Sequence, residues 1–223
     1  MTVEEIMNDE YILDIYKRIY NREAYDPNAW AFHGLSHVEN VTKTALKIME
    51  ILNCSEEMKE NAKIAIFLHD VGCIDGKEDH EIRGYEIIEK HFKDKEIKNK
   101  EIIFNAVKNH RKVKENADLL TKIIVLSDKL DITKNRITEA GKLVEGNRQY
   151  ANIEEIKLEI IDDCFVVNFI TNNKIDIDEF LEFYFTKKVF KAIENFSNDI
   201  NLKNIIKINN IIYMDNETKG KIL

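Results

Sequence analysis

The sequence has little of the residues that interrupt helices, with one proline and seven glycines among 223 residues. Because these two residues disfavour a helix interior most strongly, their scarcity favours an α-rich protein. No stretch approaches the roughly 20 apolar residues that a membrane-spanning helix requires. Acidic residues at positions 4, 5, 9 and 10 interrupt the segment in which a signal peptide would be apolar. We therefore expect a cytoplasmic protein that makes no contact with a membrane.

Cysteine and basic residues are also limited. The three cysteines, Cys54, Cys73 and Cys164, lie far apart and form no CxxC pair. A sparse, odd set of this kind is typical of a reduced chain and argues against a disulfide scaffold. The 33 basic and 41 acidic residues give a net charge of −8, which argues against a general nucleic-acid binder. The 44% hydrophobic content supplies a core for one large domain, or for a main domain with a small appendage.

Helical periodicity extends from residue 2 to about residue 150. It predicts helices over roughly residues 2–20, 36–53, 56–70, 79–93, 96–110, 117–131 and 133–149. Ser36 with Glu39 predicts a capping box at the start of the second helix, and Ser55 predicts a cap for the third. Residues 21–35 hold the only proline and the only tryptophan, and we expect them to form a structured loop.

The pattern changes after about residue 152. Alternating apolar residues on either side of Asp162 and Asp163 predict a β-hairpin. Residues 177–196 return to helical spacing with Asp176 or Asp178 as cap, and residues 205–214 could form one further strand paired with the hairpin. The predicted fold is mainly α, with a helical body at residues 1–151 and a small α+β appendage at residues 152–223.

Several polar residues lie on helix faces that are otherwise apolar. His37, for example, shares a face with Val41 and Ala45. Burying an imidazole or a carboxylate without a partner costs several kcal/mol. One cation bound by all of these side chains explains their burial better than a separate partner for each. Imidazole and carboxylate together suit iron, manganese, nickel, cobalt or zinc. The pattern predicts one or two such divalent transition metals beside His37, His69, Asp70, His80, His110 and Asp128.

These residues resemble the signature of the HD superfamily of metal-dependent phosphohydrolases. His37 in "GLSHVENV", His69 and Asp70 in "FLHDVG" and Asp128 in "LSDKLD" follow the H…HD…D order of that family. "HEIRGYEII" from His80 and "VKNHRK" around His110 are similar to the extra histidines of its dinuclear branch. The resemblance covers roughly residues 30–140 and implies that the helical body is an HD-domain bundle.

The resemblance also implies a ligand set and a reaction. His37, His69, Asp70 and Asp128 would hold one metal, while His80 and His110 would complete a second with Asp70 bridging. The implied reaction is hydrolysis of a nucleotide or another small phosphate ester by a metal-activated water, with Asp70 and Asp128 as catalytic residues. An HD-domain diiron oxygenase and a non-catalytic nucleotide-binding sensor are the alternatives.

One position departs from the family. Members with "HDxGK" have a lysine where this chain has Cys73. The basic residues considered for the phosphate are Lys77, Arg83, Arg111, Lys129 and Arg136. His33 could line the mouth of the site, and Asp131 could share with Asp128 the orientation of the nucleophile. The expected partner is a small phosphorylated molecule, and the appendage could form the edge of a homodimer, cap the site or brace the bundle.

Overall fold

The computed structural model describes residues 1–111 and 116–215, with Asp215 described in its backbone only. The chain forms two compact units. The first consists of Met1–Tyr25 and Phe32–Asp128, and the second of Asp26–Ala31 together with the described residues from Lys129 onward. The domain boundary predicted at residue 151 stays a prediction.

The first unit is built from helices. They are α1 (Val3–Met7), α2 (Glu10–Glu23), α3 (Leu35–Ile51), α4 (Glu56–Leu68), α5 (His80–His91), α6 (Lys100–Asn109) and α7 (Leu119–Leu130), whose last two residues lie past the boundary of the unit. A 3-10 turn, Val71–Asp75, connects α4 to α5. The apolar faces of these helices form the core, as the spacing predicts, and the mainly α fold is confirmed.

Capping residues decide where several of these helices begin. The single helix predicted over residues 2–20 is in fact two, because Asp9 has extended backbone and its side chain accepts a hydrogen bond from Ile12 N at 3.1 Å. The cap at Ser55 is confirmed, since its hydroxyl accepts from Met58 N. The capping box at Ser36 is wrong. Helix α3 begins one residue earlier, with Gly34 at the N-cap and no side-chain cap bond there.

The helix predicted over residues 133–149 is wrong. This stretch forms turns and two 3-10 helices, Gly141–Leu143 and Asn147–Asn152. Ile137 pairs with Ala31 in an isolated antiparallel bridge, and Thr138 N donates to Trp30 O at 3.3 Å. A Cβ on Gly141 would lie 2.1 Å from Trp30 O. Backbone contacts with a segment about a hundred residues earlier therefore replace the helical bonds of this stretch.

The second unit contains a four-stranded sheet, so the protein is mainly α and not all-α. Its strands are β1 (Ile153–Ile161), β2 (Cys164–Thr171), β3 (Lys203–Ile208) and β4 (Ile211–Asp215), in that spatial order. The β1–β2 hairpin is confirmed, and the β2–β3 pair is parallel. The single strand predicted over residues 205–214 is two strands, because Asn209 and Asn210 have positive φ values of 49° and 69° and form a tight turn.

Two helices accompany the sheet. The single helix predicted over residues 177–196 is divided at Phe183, which has extended backbone, into α8 (Ile177–Glu182) and α9 (Tyr184–Asp199). Asp176 is confirmed as the cap of α8. Aromatic rings of β2 meet rings of both helices, with the centroid of Phe169 6.0 Å from that of Phe180 and 5.8 Å from that of Phe190. The predicted α+β class of the small appendage is thus confirmed. Its sheet has four strands and is larger than the predicted hairpin with one further strand.

Among the described residues, no helix is both long and apolar enough to cross a membrane.

Candidate metal centre

Two glycines allow the end of α4 to meet the start of α5. His69 is the C-cap of α4, Asp70 follows it, and His80 is the first residue of α5. A Cβ on Gly72 would lie 1.9 Å from His80 O and 2.5 Å from Gly84 N. Position 72 therefore requires glycine, and the close backbone approach brings His80 beside the His69–Asp70 pair.

The first group of donor atoms comes from three buried residues, His37, His69 and Asp70, whose donor atoms lie within 4.8 Å of one another. His37 Nε2 lies 3.2 Å from His69 Nε2 and 3.3 Å from Asp70 Oδ2. Asp128 Oδ1 lies 3.2 Å from the same His37 nitrogen, and 18% of its side chain is exposed. Four side chains thus converge here, and Asp128 is the one that solvent reaches.

The second group shares Asp70 with the first and adds His80 and His110. His80 Nε2 lies 2.9 Å from His110 Nε2. Asp70 Oδ1 lies 3.3 Å from the His80 nitrogen and 3.6 Å from the His110 nitrogen. Since Asp70 Oδ2 faces His37 and His69, each oxygen of this one carboxylate serves a different pair of histidines.

Hydrogen bonds to the backbone fix which ring nitrogen carries the proton. The Nδ1 atoms of His69, His80 and His110 lie 2.6, 2.8 and 2.6 Å from the carbonyl oxygens of the residues three positions earlier. A carbonyl oxygen only accepts, so each Nδ1 carries hydrogen, and in the neutral ring Nε2 presents a lone pair. With both rings neutral, the His80 and His110 lone pairs face each other at 2.9 Å, an unfavourable arrangement that a proton or a metal cation between them relieves.

The charge of the centre also fits a cation. Burial raises the pKa of Asp70, but positive charge and N–H donation from the neighbouring histidines, His69 first and then His110 and His37, hold it well below its ordinary value. With neutral rings, a bound cation would supply that positive charge in their place. Burial lowers the pKa of His110. In the part of the chain that the structure describes, Asp70 Oδ2 is buried and accepts no hydrogen bond. An ionised carboxylate among imidazole lone pairs is the donor chemistry of a divalent transition metal.

His33 lies beside this centre and is held by Glu23, which is absent from the residues predicted from the sequence. Its Nδ1 lies 2.7 Å from Glu23 Oε1, and its ring centroid is 5.8 Å from that of His37. Burial, followed by Lys77, lowers the pKa of His33 to about 4, so the ring is neutral. Glu23 is buried. The signal for it was present, since Glu23 continues the apolar stripe of Ile12, Tyr16 and Ile19 along α2.

The predicted basic contacts have different surroundings. The Arg83 guanidinium donates to backbone carbonyls of the turn between Asp70 and His80. Arg111, with 44% of its side chain exposed, lies 3.6 Å from Glu81 Oε2 and 3.8 Å from Asp79 Oδ1. Lys77 is exposed and acts on the pKa of His33, and Lys129 is half-buried in α7 next to Asp128 in the chain. The assignment of these residues to substrate stays a prediction.

The remaining predicted residues are buried polar groups. Asp131 is buried, and its backbone carbonyl accepts from Arg136 Nη1 at 3.1 Å. Cys73 is also buried, and its thiol donates to Asp70 Oδ1 at 3.6 Å. Burial and the Asp70 charge raise the pKa of this thiol well above its ordinary value. Cys73 therefore stays protonated and carries no charge toward an anion.

Comparisons with known proteins support the same interpretation. No curated protein was found to match the chain. The family model of the HD domain matches residues 34–133. This range contains the predicted donor residues His37, His69, Asp70, His80, His110 and Asp128. Residues 34–133 are therefore an HD domain, the domain of a superfamily of metal-dependent phosphohydrolases, and the predicted resemblance to this superfamily is confirmed.

Proposed function

We propose that the protein hydrolyses a small phosphate ester with the help of divalent metal ions. His37, His69, Asp70 and Asp128 would hold one ion, and Asp70, His80 and His110 the other. The observation that carries the proposal is the arrangement around Asp70, whose two oxygens each face a pair of imidazole nitrogens within 3.6 Å. Bound ions of this kind lower the pKa of water toward neutrality and neutralise phosphate charge.

Asp128 and His33 would accept hydrogen bonds from the attacking water and from the substrate. Asp128 is partly exposed beside His37, so its carboxylate can accept a hydrogen bond from the attacking water and orient it. His33 donates its Nδ1 hydrogen to Glu23 and is neutral, so its Nε2 can only accept. His33 therefore suits a hydroxyl group or a water, and it does not suit an unprotonated phosphate oxygen.

A nucleotide is the substrate that the neighbouring aromatic residues favour. The rings of Tyr20 and Phe32 stack with centroids 5.2 Å apart and an interplanar angle of 24°. Phe32 directly precedes His33, and Tyr20 lies one helical turn before Glu23, which holds His33. Tyr20 is 53% exposed. This pair offers a ring face on which a base can stack beside the proposed centre.

The main test is an assay of phosphomonoesters and phosphodiesters after chelation and reconstitution with manganese, iron(II), cobalt, nickel or zinc. Wild-type protein is expected to bind metal and release phosphate or alcohol. Asp70→Ala and the isosteric Asp70→Asn are expected to lose bound metal and activity together, because both groups of donors lose their shared charge. Metal retained by Asp70→Asn at the wild-type stoichiometry, or hydrolysis that survives complete metal removal, would contradict the proposal.

The nucleotide proposal has its own test in Tyr20→Ala. Stacking of a base on an aromatic ring contributes about 1–3 kcal/mol, so we expect KM for a nucleotide to rise roughly 5-fold to 150-fold. KM for glycerol phosphate, which has no ring, is expected to stay unchanged. Tyr25→Ala is the control, because Tyr25 is 89% exposed on the same unit. An equal rise in KM for both substrates would contradict a stacking role.

The same assays separate the alternative functions. Phosphate release under anaerobic conditions would exclude an obligatory diiron oxygenase. Oxygen consumption that depends on iron, with no ester hydrolysed, would favour it. Tight nucleotide binding without turnover in any metal would favour the sensor.

A further inference from the structure

Arg83 holds the turn that joins the two parts of the candidate centre. Its Nη1 donates to Gly72 O at 2.5 Å and to Gly76 O at 3.0 Å, and its Nη2 donates to Glu78 O at 2.8 Å. All three carbonyls belong to the nine residues that lie between Asp70 and His80. One side chain at the start of α5 thus contacts this stretch at its beginning, middle and end.

The two halves of the turn are held in different ways. Val71, Gly72 and Cys73 in its first half are buried, and Arg22 Nη1 donates to Ile74 O at 3.1 Å. Asp75, Lys77, Glu78 and Asp79 are exposed, so the second half of the turn contributes no apolar side chain to the core. Its backbone is also irregular, with φ values of +107° at Gly76 and +50° at Asp79. A segment with exposed side chains and little regular structure depends on its polar contacts. Arg83 gives this half two of its hydrogen bonds, to Gly76 O and Glu78 O, and its third bond, to Gly72 O, ties the same guanidinium to the buried first half.

The two donor groups depend on this turn to different degrees. His37 and His69 lie on α3 and at the end of α4, before the turn begins. His80 lies directly after the turn, and its Nδ1 bonds to Lys77 O within the turn. A displaced turn would move the His80 ring relative to His110 and Asp70 while leaving His37 and His69 in place.

We propose that Arg83 is a positioning residue for the second metal subsite, formed by Asp70, His80 and His110, and that it does not contact the substrate. This assignment rests on the proposed function only in treating that donor group as a metal subsite. The guanidinium suits the task because its planar fork reaches several carbonyl oxygens at once, which a lysine ammonium does not reproduce. Loss of a residue that orients a metal ligand typically weakens metal binding about 10-fold to 100-fold.

The test compares metal binding by wild type, Arg83→Ala and Arg83→Gln, measured by equilibrium dialysis against manganese with elemental analysis. Wild type is expected to bind two ions per chain. At the concentration that just saturates wild type, both variants are expected to hold one ion firmly and to bind the second about 10-fold to 100-fold more weakly. His80→Ala should show the same pattern, and the double variant His80→Ala/Arg83→Gln should lose no more than His80→Ala alone.

Lys90→Ala is the matched control. Lys90 and Arg83 line the same surface groove of about 560 Å³, together with Tyr11, Glu86, Ile87 and His91. Removing Lys90 takes a positive charge from this groove without touching the turn, so two ions with wild-type affinity are expected. A lost second ion in Lys90→Ala would show that charge alone is responsible and would overturn the assignment.

Further outcomes decide the proposal. Two ions bound with wild-type affinity by Arg83→Gln would overturn it, as would a wild type that binds only one ion. Two retained ions with a raised KM would assign Arg83 to the substrate instead. If Arg83→Ala does not fold, Arg83→Gln, which keeps an N–H donor, decides the question alone. A wild type that binds two ions yet hydrolyses no ester would refute the proposed function and leave the role of Arg83 intact.

Discussion

Three histidines of the candidate centre use the same local device. His69, His80 and His110 each donate Nδ1–H to the carbonyl oxygen three residues earlier, so that Nε2 is left for the centre. The sequence predicts these residues because each lies on an apolar helix face. It does not predict which ring nitrogen of each histidine carries the proton. It also does not predict that the two oxygens of Asp70 face different pairs of histidines. Those depend on side-chain rotamers, which only the packed structure sets.

The pKa of His33 predicts a pH dependence of stability. Its value of about 4 in the fold lies below the ordinary value near 6.5 that applies to the unfolded chain. Between these values the unfolded chain binds a proton that the folded chain excludes. The free energy of unfolding therefore falls as pH falls from 6.5 to 4, by about 3 kcal/mol at most from this residue.

Urea unfolding of the metal-free protein at pH 7 and pH 4.5 measures this effect. His33→Gln removes the titrating ring and is expected to show a smaller loss of stability between these two pH values. Equal losses in wild type and variant would show that His33 does not contribute.

Element boundaries divide clearly into those that local sequence predicts and those that it does not. Ser55 and Asp176 cap helices as expected, because a cap is formed within four residues. The helix predicted over residues 133–149 is wrong because contacts distant in sequence, and not local ones, determine the structure of that segment. Its backbone pairs with Ala31 and Trp30, and periodicity within the segment carries no information about a partner so far away.

Gly72 sets the approach of α5 to the turn before it, and its replacement tests that geometry. Gly72→Ala would place a Cβ 1.9 Å from His80 O, and relieving this clash requires the backbones to separate. Overpacking of this kind costs about 1–3 kcal/mol, and we expect binding of the second metal to weaken as well. Urea unfolding and metal dialysis measure the two effects.

Gly34→Ala is the comparison for Gly72→Ala. A Cβ at position 34 would meet the Tyr20 side chain at 3.6 Å, an ordinary contact. We expect a loss below about 1 kcal/mol, from the poorer N-cap residue alone, and unchanged metal binding. If both alanine variants behaved alike, the close approach at Gly72 would not be what places His80.

At the scale of the whole molecule, composition and periodicity predict a mainly α protein with a mixed C-terminal part. They do not predict the parallel pairing of β2 with β3, whose connection contains α8 and α9. A hairpin has a local signal in its turn residues, whereas a parallel pair joins strands more than thirty residues apart. This separation in sequence also explains why the observed sheet has more strands than the sequence predicts.

Metal ions are expected to stabilise the whole fold. An ion that binds only the folded chain stabilises it by about 2.7 kcal/mol per site at a free concentration one hundred times Kd. Chelation should therefore lower Tm by several degrees, and added manganese should restore it. Scanning calorimetry with and without chelator measures this shift.

Asp70→Asn is the control for metal stabilisation. Without its shared carboxylate, this variant should have the same Tm with and without manganese. A wild-type Tm that does not respond to chelation, or a variant that gains as much from manganese as wild type, would contradict the assignment of the donor residues.

The division of one carboxylate between two donor groups would also make the occupancies of the two proposed metal subsites interdependent. An ion on one side of Asp70 withdraws part of its negative charge from the other side, and the two cations repel each other. The second ion should therefore bind with negative cooperativity, and reciprocity requires each ion to weaken the other by the same factor. A titration would then show two separated steps, and a centre loaded with two different metals would reach the same equilibrium whichever ion was added first.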